Sequence, residues 1–189
     1  MNNALKVSQI GFTGVNKAEI VNKEIDLNSI GEHDVVVKNL VTTISAGTEK
    51  ANIIGLRVGE APVVFPRFSG YSNCGEVIAV GKAVTKVKVG DRIVPIWGFH
   101  ASYNVFNEDK VVKVPEGISP EEAALSFIGT FSIAAVRKVR LEIGENCAVV
   151  GLGVLGQLAV AFAKAAGAYP VVAVDMSKER REEALRNGA

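Results

Sequence analysis

The sequence predicts a mixed α/β protein, in which a β-rich segment precedes the first part of a doubly wound parallel sheet. Short stretches rich in Val and Ile, separated by turns that contain glycine, fill the first two-thirds of the chain and are typical of strands. From Asn146 onward, apolar strands alternate with helices, and that order favours a parallel sheet covered by helices. A helix start at Ser119 separates the two patterns.

The β-rich segment contains predicted strands at 19–27, 34–44, 76–80, 84–97, 101–106 and 110–114. A turn at 29–32 joins the first two strands, and Gly90-Asp91 forms a turn inside the fourth. We expect the last two strands to pair with each other. Many short strands with glycine turns favour a small, irregular barrel over a parallel sheet.

The helical region begins at Ser119-Pro120-Glu121-Glu122, which provides a hydroxyl N-cap, proline at the first helical position and Glu at the capping-box position. Gly129-Thr130 predicts a break in the helix, and a second helix is expected over 132–140. Its basic end complements the helix dipole. After a turn at 141–145, strands are predicted at 147–150 and 171–174, and helices at 157–166 and 177–187.

The motif with most chemical content is Gly151-Leu152-Gly153-Val154-Leu155-Gly156, a G-x-G-x-x-G between a strand and a helix, with Asp175 ending the next strand 19 residues later. Gly151 permits the tight turn, Gly153 allows close approach to a pyrophosphate, and Gly156 allows the helix to pack on the strand. The helix N-terminus offers N–H groups to phosphates. The candidate cofactor-binding residues are Gly151, Gly153, Val154, Leu155, Gly156 and Asp175. The alternative is a glycine-rich turn with a packing role only.

Asp175 favours NAD over NADP, because its carboxylate would accept hydrogen bonds from the ribose hydroxyls and repel a 2′-phosphate. The basic residues that follow weaken that preference, so NADP stays an alternative. They are Lys178, Arg180 and Arg181.

Composition excludes several classes of protein. The chain has 189 residues, 48% of them hydrophobic, and its 21 Lys and Arg nearly balance its 20 Asp and Glu. Nucleic-acid and membrane-surface binders need a basic excess, which is lacking. No apolar run reaches 18 residues. The first residues lack a basic segment followed by an apolar one, so we expect no signal peptide. Two cysteines, Cys74 and Cys147, make no disulfide framework, so we expect a cytoplasmic protein.

Five segments, in this order, resemble the medium-chain dehydrogenase/reductase family, to which the zinc-type alcohol dehydrogenases belong. They are GEVIAVG at 75–81, VGDRIV at 89–94, ASYNV at 101–105, VKVPEG at 112–117 and GLGVLG at 151–156. The resemblance implies a GroES-like catalytic domain over 1–120, connecting helices over 121–145 and part of a Rossmann NAD-binding domain over 146–189. It also implies nicotinamide bound between the two domains, and a homodimer when the protein is full length.

The chain departs from the family's zinc-binding pattern. The family's first cysteine ligand corresponds to Ala46, its Gly-His-Glu segment reads Gly70-Tyr71-Ser72, and 125–131 contains no Cys, His or Glu. The closely spaced cysteines of the structural zinc lobe are also missing between 96 and 103. These features resemble a zinc-lacking branch of the family that includes bacteriochlorophyllide and sugar-type dehydrogenases. We therefore expect no zinc.

The resemblance implies that hydroxyl groups replace zinc in stabilising negative charge on a substrate oxygen. Thr48 matches the family's hydroxyl relay residue, Tyr71 occupies the position of the histidine ligand, and Thr130 lies where relatives approach the nicotinamide. The alternatives are a turn or helix N-cap for Thr48 and simple packing for Tyr71.

Neighbouring residues are expected to be structural rather than catalytic. Glu49 matches a family acidic residue, and Ser45 and Cys74 are expected in the core. We expect His100 in a surface loop and His33 in a solvated turn.

The implied function is an oxidoreductase that transfers a hydride between NAD(H) and a small alcohol, carbonyl or sugar-type substrate without zinc. The alternatives are an NAD(P)H-dependent quinone or enone reductase and a dinucleotide-binding protein without catalysis. A Rossmann sheet has about six strands, whereas 146–189 supplies two. We therefore expect the N-terminal part of a longer enzyme, inactive alone, with Val149, Val150, Val171, Val172 and Val174 short of neighbours unless another chain completes the sheet.

Overall fold

The computed structural model describes residues 4–56 and 63–189, which form two compact units that meet in sequence between Phe127 and Ile128. The first unit contains strands β1 (Ala4–Gly14), β2 (Lys17–Asp26), β3 (Asp34–Thr42), β4 (Arg67–Phe68), β5 (Asn73–Val80), β6 (Arg92–Pro95), β7 (Tyr103–Asn107) and β8 (Val111–Lys113), with helix α1 (Ala46–Ile53). Helix α2 (Pro120–Lys138) begins in the first unit and ends in the second. The second unit continues with β9 (Cys147–Val150), α3 (Val154–Ala165), β10 (Val171–Val174) and α4 (Lys178–Arg186).

Two antiparallel sheets form the first unit. One has the order β2-β1-β4 and the other the order β7-β3-β5-β6-β8. Strand β3 is an internal strand, between β7 and β5, and its residues Val35, Val36 and Val37 are all inaccessible to solvent. The inward side chains of β3 pack with Val77 and Ile93 of the neighbouring strands in one apolar cluster. The predicted β-rich segment is confirmed.

The second unit is a strand–helix–strand–helix arrangement in which β9 and β10 pair in parallel, with Val171 beside Cys147. Its core forms where α3 covers this pair, and Val160 and Ala163 of the helix are fully buried. Val150, Val172 and Val174 are exposed, Val150 by 80% of its surface, as the sequence predicts. Val171, by contrast, is buried, because it packs into the core under α3 and α4.

Several expectations about individual elements were wrong. Helix α2 runs unbroken through Gly129-Thr130, because a glycine inside a helix costs only about 1 kcal/mol and neighbouring residues outweigh it. Strands β7 and β8 do not pair with each other, since β7 pairs with β3 and β8 with β6. Of the predicted strand at 84–97, only Arg92–Pro95 is a strand.

Three elements were missed by sequence reasoning. Strand β1, which pairs along its length with β2, was not predicted, and neither were the short strand β4 and helix α1. The helix start at Ser119 is confirmed, because the Ser119 hydroxyl accepts from the Glu122 N–H at 3.2 Å and the Glu122 carboxylate accepts from the Ser119 N–H at 2.9 Å. Within the described part of the chain, no helix combines the length and apolar character needed to cross a membrane.

Glu108 is a buried carboxylate that joins three separate segments of the first unit. It accepts the N–H groups of Thr85 at 2.8 Å and Lys86 at 3.0 Å, and His33 Nδ1 lies 2.7 Å from its other oxygen. The Thr85 N–H, the His33 ring and the Lys86 N–H together lower the pKa of Glu108 to about 2. His33 lies in a turn and is exposed, as expected, and its ring also pairs with Glu108.

We predict that Glu108→Gln destabilises the protein at neutral pH, and that its difference from wild type shrinks as the pH falls from about 4.5 towards 2. The reason is that a carboxylate with a lowered pKa stabilises the fold above its unfolded-state pKa and loses that contribution as it is protonated. Urea unfolding across this range measures the difference. Glu116→Gln, at an exposed position, is the matched control. A Glu108→Gln difference that does not change with pH would contradict the assignment.

Candidate functional site

The glycine motif lies between β9 and α3, and two of its glycines are required by geometry. Gly151 has φ +88°, a left-handed conformation that only glycine adopts without strain. A Cβ on Gly156 would lie 1.9 Å from the Gly151 carbonyl oxygen, so no other residue fits there. Gly153 has no atom within 4 Å of where its Cβ would be. The loop therefore packs tightly on its own backbone at Gly156, and it leaves open space beside Gly153.

The N-terminus of α3 carries no side-chain cap, because its N-cap residue is Gly153. The first N–H groups of a helix have no partner within the helix. Together with the positive end of the helix dipole, they favour an anionic group such as a phosphate. Open space at Gly153 beside such a helix end is the geometry that a pyrophosphate needs, so the residues present fit a dinucleotide.

Asp175 lies immediately after β10 and binds the glycine motif directly. Its carboxylate accepts the Leu152 N–H at 2.7 Å and the Ser177 N–H at 2.8 Å. These two bonds, with Arg180 nearby at 3.7 Å, lower the pKa of Asp175. Sequence reasoning assigned Asp175 to the ribose and missed this second role, in which it fixes the glycine loop against the second strand.

An apolar groove of about 250 Å³ adjoins the carboxyl end of β9. Its lining includes Phe131, Val149, Val150, Leu155 and Gly156. Ser132 closes one side, where its hydroxyl donates to the Leu155 carbonyl at 2.8 Å. Ligands of open α/β sheets bind outside the carboxyl ends of the strands, and this groove lies at that end.

Thr48 lies in the first turn of α1 and is exposed. Its hydroxyl is 3.2 Å from the Ser45 hydroxyl. Ser45 is the N-cap residue of α1, so the expectation that Ser45 is a core residue was wrong, as was the N-cap alternative for Thr48. Cys74 is fully buried, as expected.

Tyr71 packs in an aromatic cluster with Trp97 and Phe127. The three ring centroids lie 5.5 to 5.8 Å apart, and each pair meets edge to face. Trp97 is 62% exposed and has φ +62°, a conformation that is strained for a bulky residue. The Tyr71 ring therefore packs against other aromatic rings, as the alternative expectation stated. Its hydroxyl stays a candidate for contact with a substrate.

The structure divides the candidate catalytic residues between the two units. Thr48 and Tyr71 belong to the first unit, whereas Thr130 belongs to the second, as do the glycine motif and Asp175. Thr130 is exposed on the continuous helix α2 and not in the predicted helix break.

The residues at the family's zinc positions do not fit a zinc ion. Ala46 has no donor atom, the Tyr71 ring packs against Trp97 and Phe127, and the Ser72 hydroxyl donates to the Ala124 carbonyl. Across residues 4–56 and 63–189, no three His, Cys, Asp or Glu side chains converge in a way that would hold a metal ion.

A buried polar cluster lies beside Thr48. Glu49 Oε1 is 3.4 Å from His100 Nε2, the Ser69 hydroxyl donates to the other Glu49 oxygen, and His100 Nδ1 is 2.5 Å from the Thr42 hydroxyl. Burial alone would raise the pKa of Glu49, but hydrogen bonds from His100 and Ser69 outweigh burial and lower it. His100 is only 4% exposed, so the expected surface-loop position was wrong.

Comparisons with known proteins agree with this architecture. The family described as alcohol dehydrogenase GroES-like domain matches residues 31–170, which is more than half of the chain. The chain belongs to the medium-chain dehydrogenase/reductase family. Sorbitol dehydrogenase from Bacillus subtilis (strain 168) is 28% identical to this dehydrogenase-family chain, over 92% of the chain and 58% of its own length.

Two solved structures of family members are similar to the chain. The 2R,3R-butanediol dehydrogenase of Bacillus subtilis has a TM-score of 0.85 and 25% identity, over 97% of this chain and 62% of its own. The quinone oxidoreductase of Pseudomonas syringae pv. Tomato DC3000 has a TM-score of 0.79 and 30% identity, over 97% of this chain and 57% of its own. The chain thus spans less than two-thirds of these relatives, and it has the family's mixed α/β fold.

We predict that adding one methyl group at either of two glycines of the motif weakens NADH binding, and that only one of the two variants also lowers the unfolding temperature. Gly156→Ala places Cβ against the Gly151 carbonyl, and such overpacking costs about 1–3 kcal/mol. It should lower both the unfolding temperature and the affinity for NADH. Gly153→Ala meets no protein atom, so it should leave the unfolding temperature unchanged and weaken NADH binding by about tenfold or more, or about 1.4 kcal/mol.

Thermal unfolding and NADH titration of the full-length protein measure the two effects separately. Gly14→Ala is a control outside the motif, because Gly14 does not have a left-handed φ and its Cβ would make only an ordinary contact, at 3.9 Å with Lys17. If Gly153→Ala bound NADH as wild type does, the close approach of a phosphate at Gly153 would be refuted.

Proposed function

We propose that the chain is part of an oxidoreductase that transfers a hydride between NAD(H) and a small alcohol, carbonyl or sugar-type substrate without catalytic zinc. The observation that carries the proposal is the glycine loop, open at Gly153 and fixed by Asp175 at the N-terminus of α3. Family membership supports hydride transfer as the reaction, and the similarity to a sorbitol dehydrogenase supports a polyol or sugar-type substrate.

The second unit would hold the dinucleotide. The N–H groups of Val154, Leu155 and Gly156 would face the pyrophosphate, and Asp175 would accept from the adenosine ribose through the lone pairs that its two N–H bonds leave free. NAD(H) supplies the hydride or accepts it, and the alcohol or carbonyl oxygen must lose or gain a proton in the same reaction.

The first unit would act on that oxygen. Negative charge develops on the substrate oxygen as hydride is added to a carbonyl, and hydroxyl donors stabilise it. In this proposal Thr48 and Tyr71 donate to the oxygen. Thr48 is exposed, and its hydroxyl is oriented by Ser45. Thr130 would contact the nicotinamide side of the cofactor.

A quinone or enone reductase is the second candidate, and the 30% identity with a quinone oxidoreductase supports it. In that reaction hydride is added to carbon or to a quinone, and the same hydroxyls would stabilise an enolate or phenolate oxygen. The two candidate reactions require different substrates, but both require the same bound dinucleotide. A substrate panel therefore separates them.

The deciding experiment follows NADH oxidation by the full-length protein over ketoses, small carbonyls, enones and quinones, with metal analysis of the same sample. We expect turnover of a sugar-type or small carbonyl substrate and far less than stoichiometric zinc. Turnover confined to quinones or enones selects the second candidate. NADH binding without turnover over the whole panel refutes both, and one zinc per chain refutes the zinc-free mechanism. We further propose that the full-length protein is a homodimer, which a measurement of its size in solution tests. We also propose that it is cytoplasmic, which cell fractionation tests.

We predict that Asp175→Asn narrows the preference for NAD over NADP by roughly tenfold, because it removes a charge that repels the 2′-phosphate. The asparagine carbonyl can still accept the Leu152 N–H and so hold the glycine loop, whereas its NH2 group cannot accept the Ser177 N–H. Asp175→Ala should weaken binding of both cofactors, because it also releases the loop. Dissociation constants for NADH and NADPH give both results.

Glu142→Gln is the matched control, since Glu142 is an exposed acid of the second unit that lies outside both the glycine motif and 175–181. An unchanged preference in Asp175→Asn would assign cofactor selection to the basic residues of 177–181 instead.

A further inference from the structure

His100 connects chain segments that lie far apart in sequence. One ring nitrogen is 3.4 Å from Glu49 in α1, and the other is 2.5 Å from the Thr42 hydroxyl at the end of β3. Glu49 in turn accepts from Ser69, which precedes Tyr71 by two residues. We name Thr42, Glu49, Ser69 and His100 the His100 cluster. It joins the helix that carries Thr48 to the loop that carries Tyr71.

The backbone around His100 is held firmly. The His100 N–H donates to the Ser69 carbonyl at 2.9 Å, and the His100 carbonyl accepts from the Ile10 N–H at 2.9 Å. Gly70 lies so close that a Cβ on it would be 2.4 Å from the His100 nitrogen. The neighbouring Phe99 carbonyl accepts three side-chain amides at 3.1 to 3.2 Å. The donors are Asn39, Asn73 and Asn104.

So many bonds to one short loop fix the position of the imidazole before any ligand arrives. A ring that is 4% exposed, with a polar partner at each nitrogen, has no free edge for a substrate. Because a carboxylate only accepts hydrogen bonds, Nε2 must carry the proton that faces Glu49. The Thr42 hydroxyl then fills the site at Nδ1. These contacts suit a group that positions other residues and does not itself react.

The His100 cluster connects the two chain segments that carry zinc ligands in the zinc-type pattern. The zinc-type pattern places one ligand at position 46, at the start of α1, and another at position 71. In this chain those positions are Ala46 and Tyr71, which cannot bridge the two segments through a metal ion. The bond from Ser69 to Glu49, and the contact of Glu49 with His100, bridge the same two segments.

We propose that His100, acting through Glu49, is a positioning residue that holds α1 and the loop at 69–72 in register, so that Thr48 and Tyr71 face one substrate oxygen. The cluster thereby performs the organising part of the role that a metal ion has in zinc-binding members of the family. This proposal rests on the proposed function for its catalytic consequence, but its structural consequence does not depend on it.

The first test measures hydrogen–deuterium exchange in the full-length protein. His100→Ala should raise exchange in 42–53 and 69–72 while leaving 108–113 as in wild type. His33→Ala is the matched control, because His33 also pairs with a buried carboxylate, Glu108, elsewhere in the first unit. It should leave 42–53 and 69–72 unchanged. Unchanged exchange in those two segments of His100→Ala, or an equal rise throughout the first unit, overturns the proposal.

The second test separates positioning from general destabilisation by rescue. In His100→Gln an amide nitrogen can replace Nε2 as donor to Glu49, so exchange in 42–53 should return to the wild-type level. If His100→Ala does not fold, Glu49→Gln replaces it, since this variant keeps the shape and removes the charge that holds His100. Suppose that His100→Ala, or Glu49→Gln in its place, loses protection from exchange in 42–53. If His100→Gln then fails to restore that protection, the role of Glu49 is contradicted.

The third test uses turnover, where the substrate panel provides it. His100→Ala should lower kcat by about 10- to 100-fold, because misplacement of catalytic groups by about 1 Å costs that much, and it should leave the dissociation constant of NADH unchanged within about twofold. An unchanged kcat overturns the catalytic consequence. If wild type shows no turnover, the proposed function fails, and the exchange measurements alone decide whether His100 orders the two segments.

Discussion

In both units of this chain, carboxylates accept hydrogen bonds from distant segments and hold loops in place. In the second unit, Asp175 fixes the glycine loop through the Leu152 N–H. In the first unit, Glu49 joins α1 to the loop at 69–72, and Glu108 joins the His33 turn to 85–86. A buried or half-buried carboxylate is costly without partners, so each one requires its partner segments to fold around it. These contacts order the glycine loop, the loop at 69–72 and the segment 85–86, which their local sequences alone would not order.

The elements that sequence reasoning predicted well are those whose determinants are local. The capping box of Ser119 and Glu122 spans three residues, and the glycine motif lies between two apolar strands of four residues each. Both the fold class and the turn at Gly151 follow from such short patterns. The predicted break at Gly129 failed for the converse reason, since a weak local preference was overridden by the helix that surrounds it.

Determinants that act between distant residues were not predictable from the sequence. Strand β7 lies beside β3, although about sixty residues lie between them in the chain, and no turn signal specifies that pairing. Likewise, His100 and Glu49 are 51 residues apart, so nothing in the local pattern indicated that the histidine is buried. Among the candidate site residues, the glycine motif was recognisable from spacing, whereas the His100 cluster required the three-dimensional structure.

Trp97 has a practical consequence for the study of this protein. It is the single tryptophan of the chain, its indole is 62% exposed, and its backbone is held in a left-handed conformation beside the ring of Tyr71. Emission excited at the red edge of the protein absorption band therefore comes from one place, next to a candidate catalytic phenol. Tryptophan fluorescence therefore reports ligand entry, solvent access and local unfolding next to Tyr71, and no chemical labelling is needed.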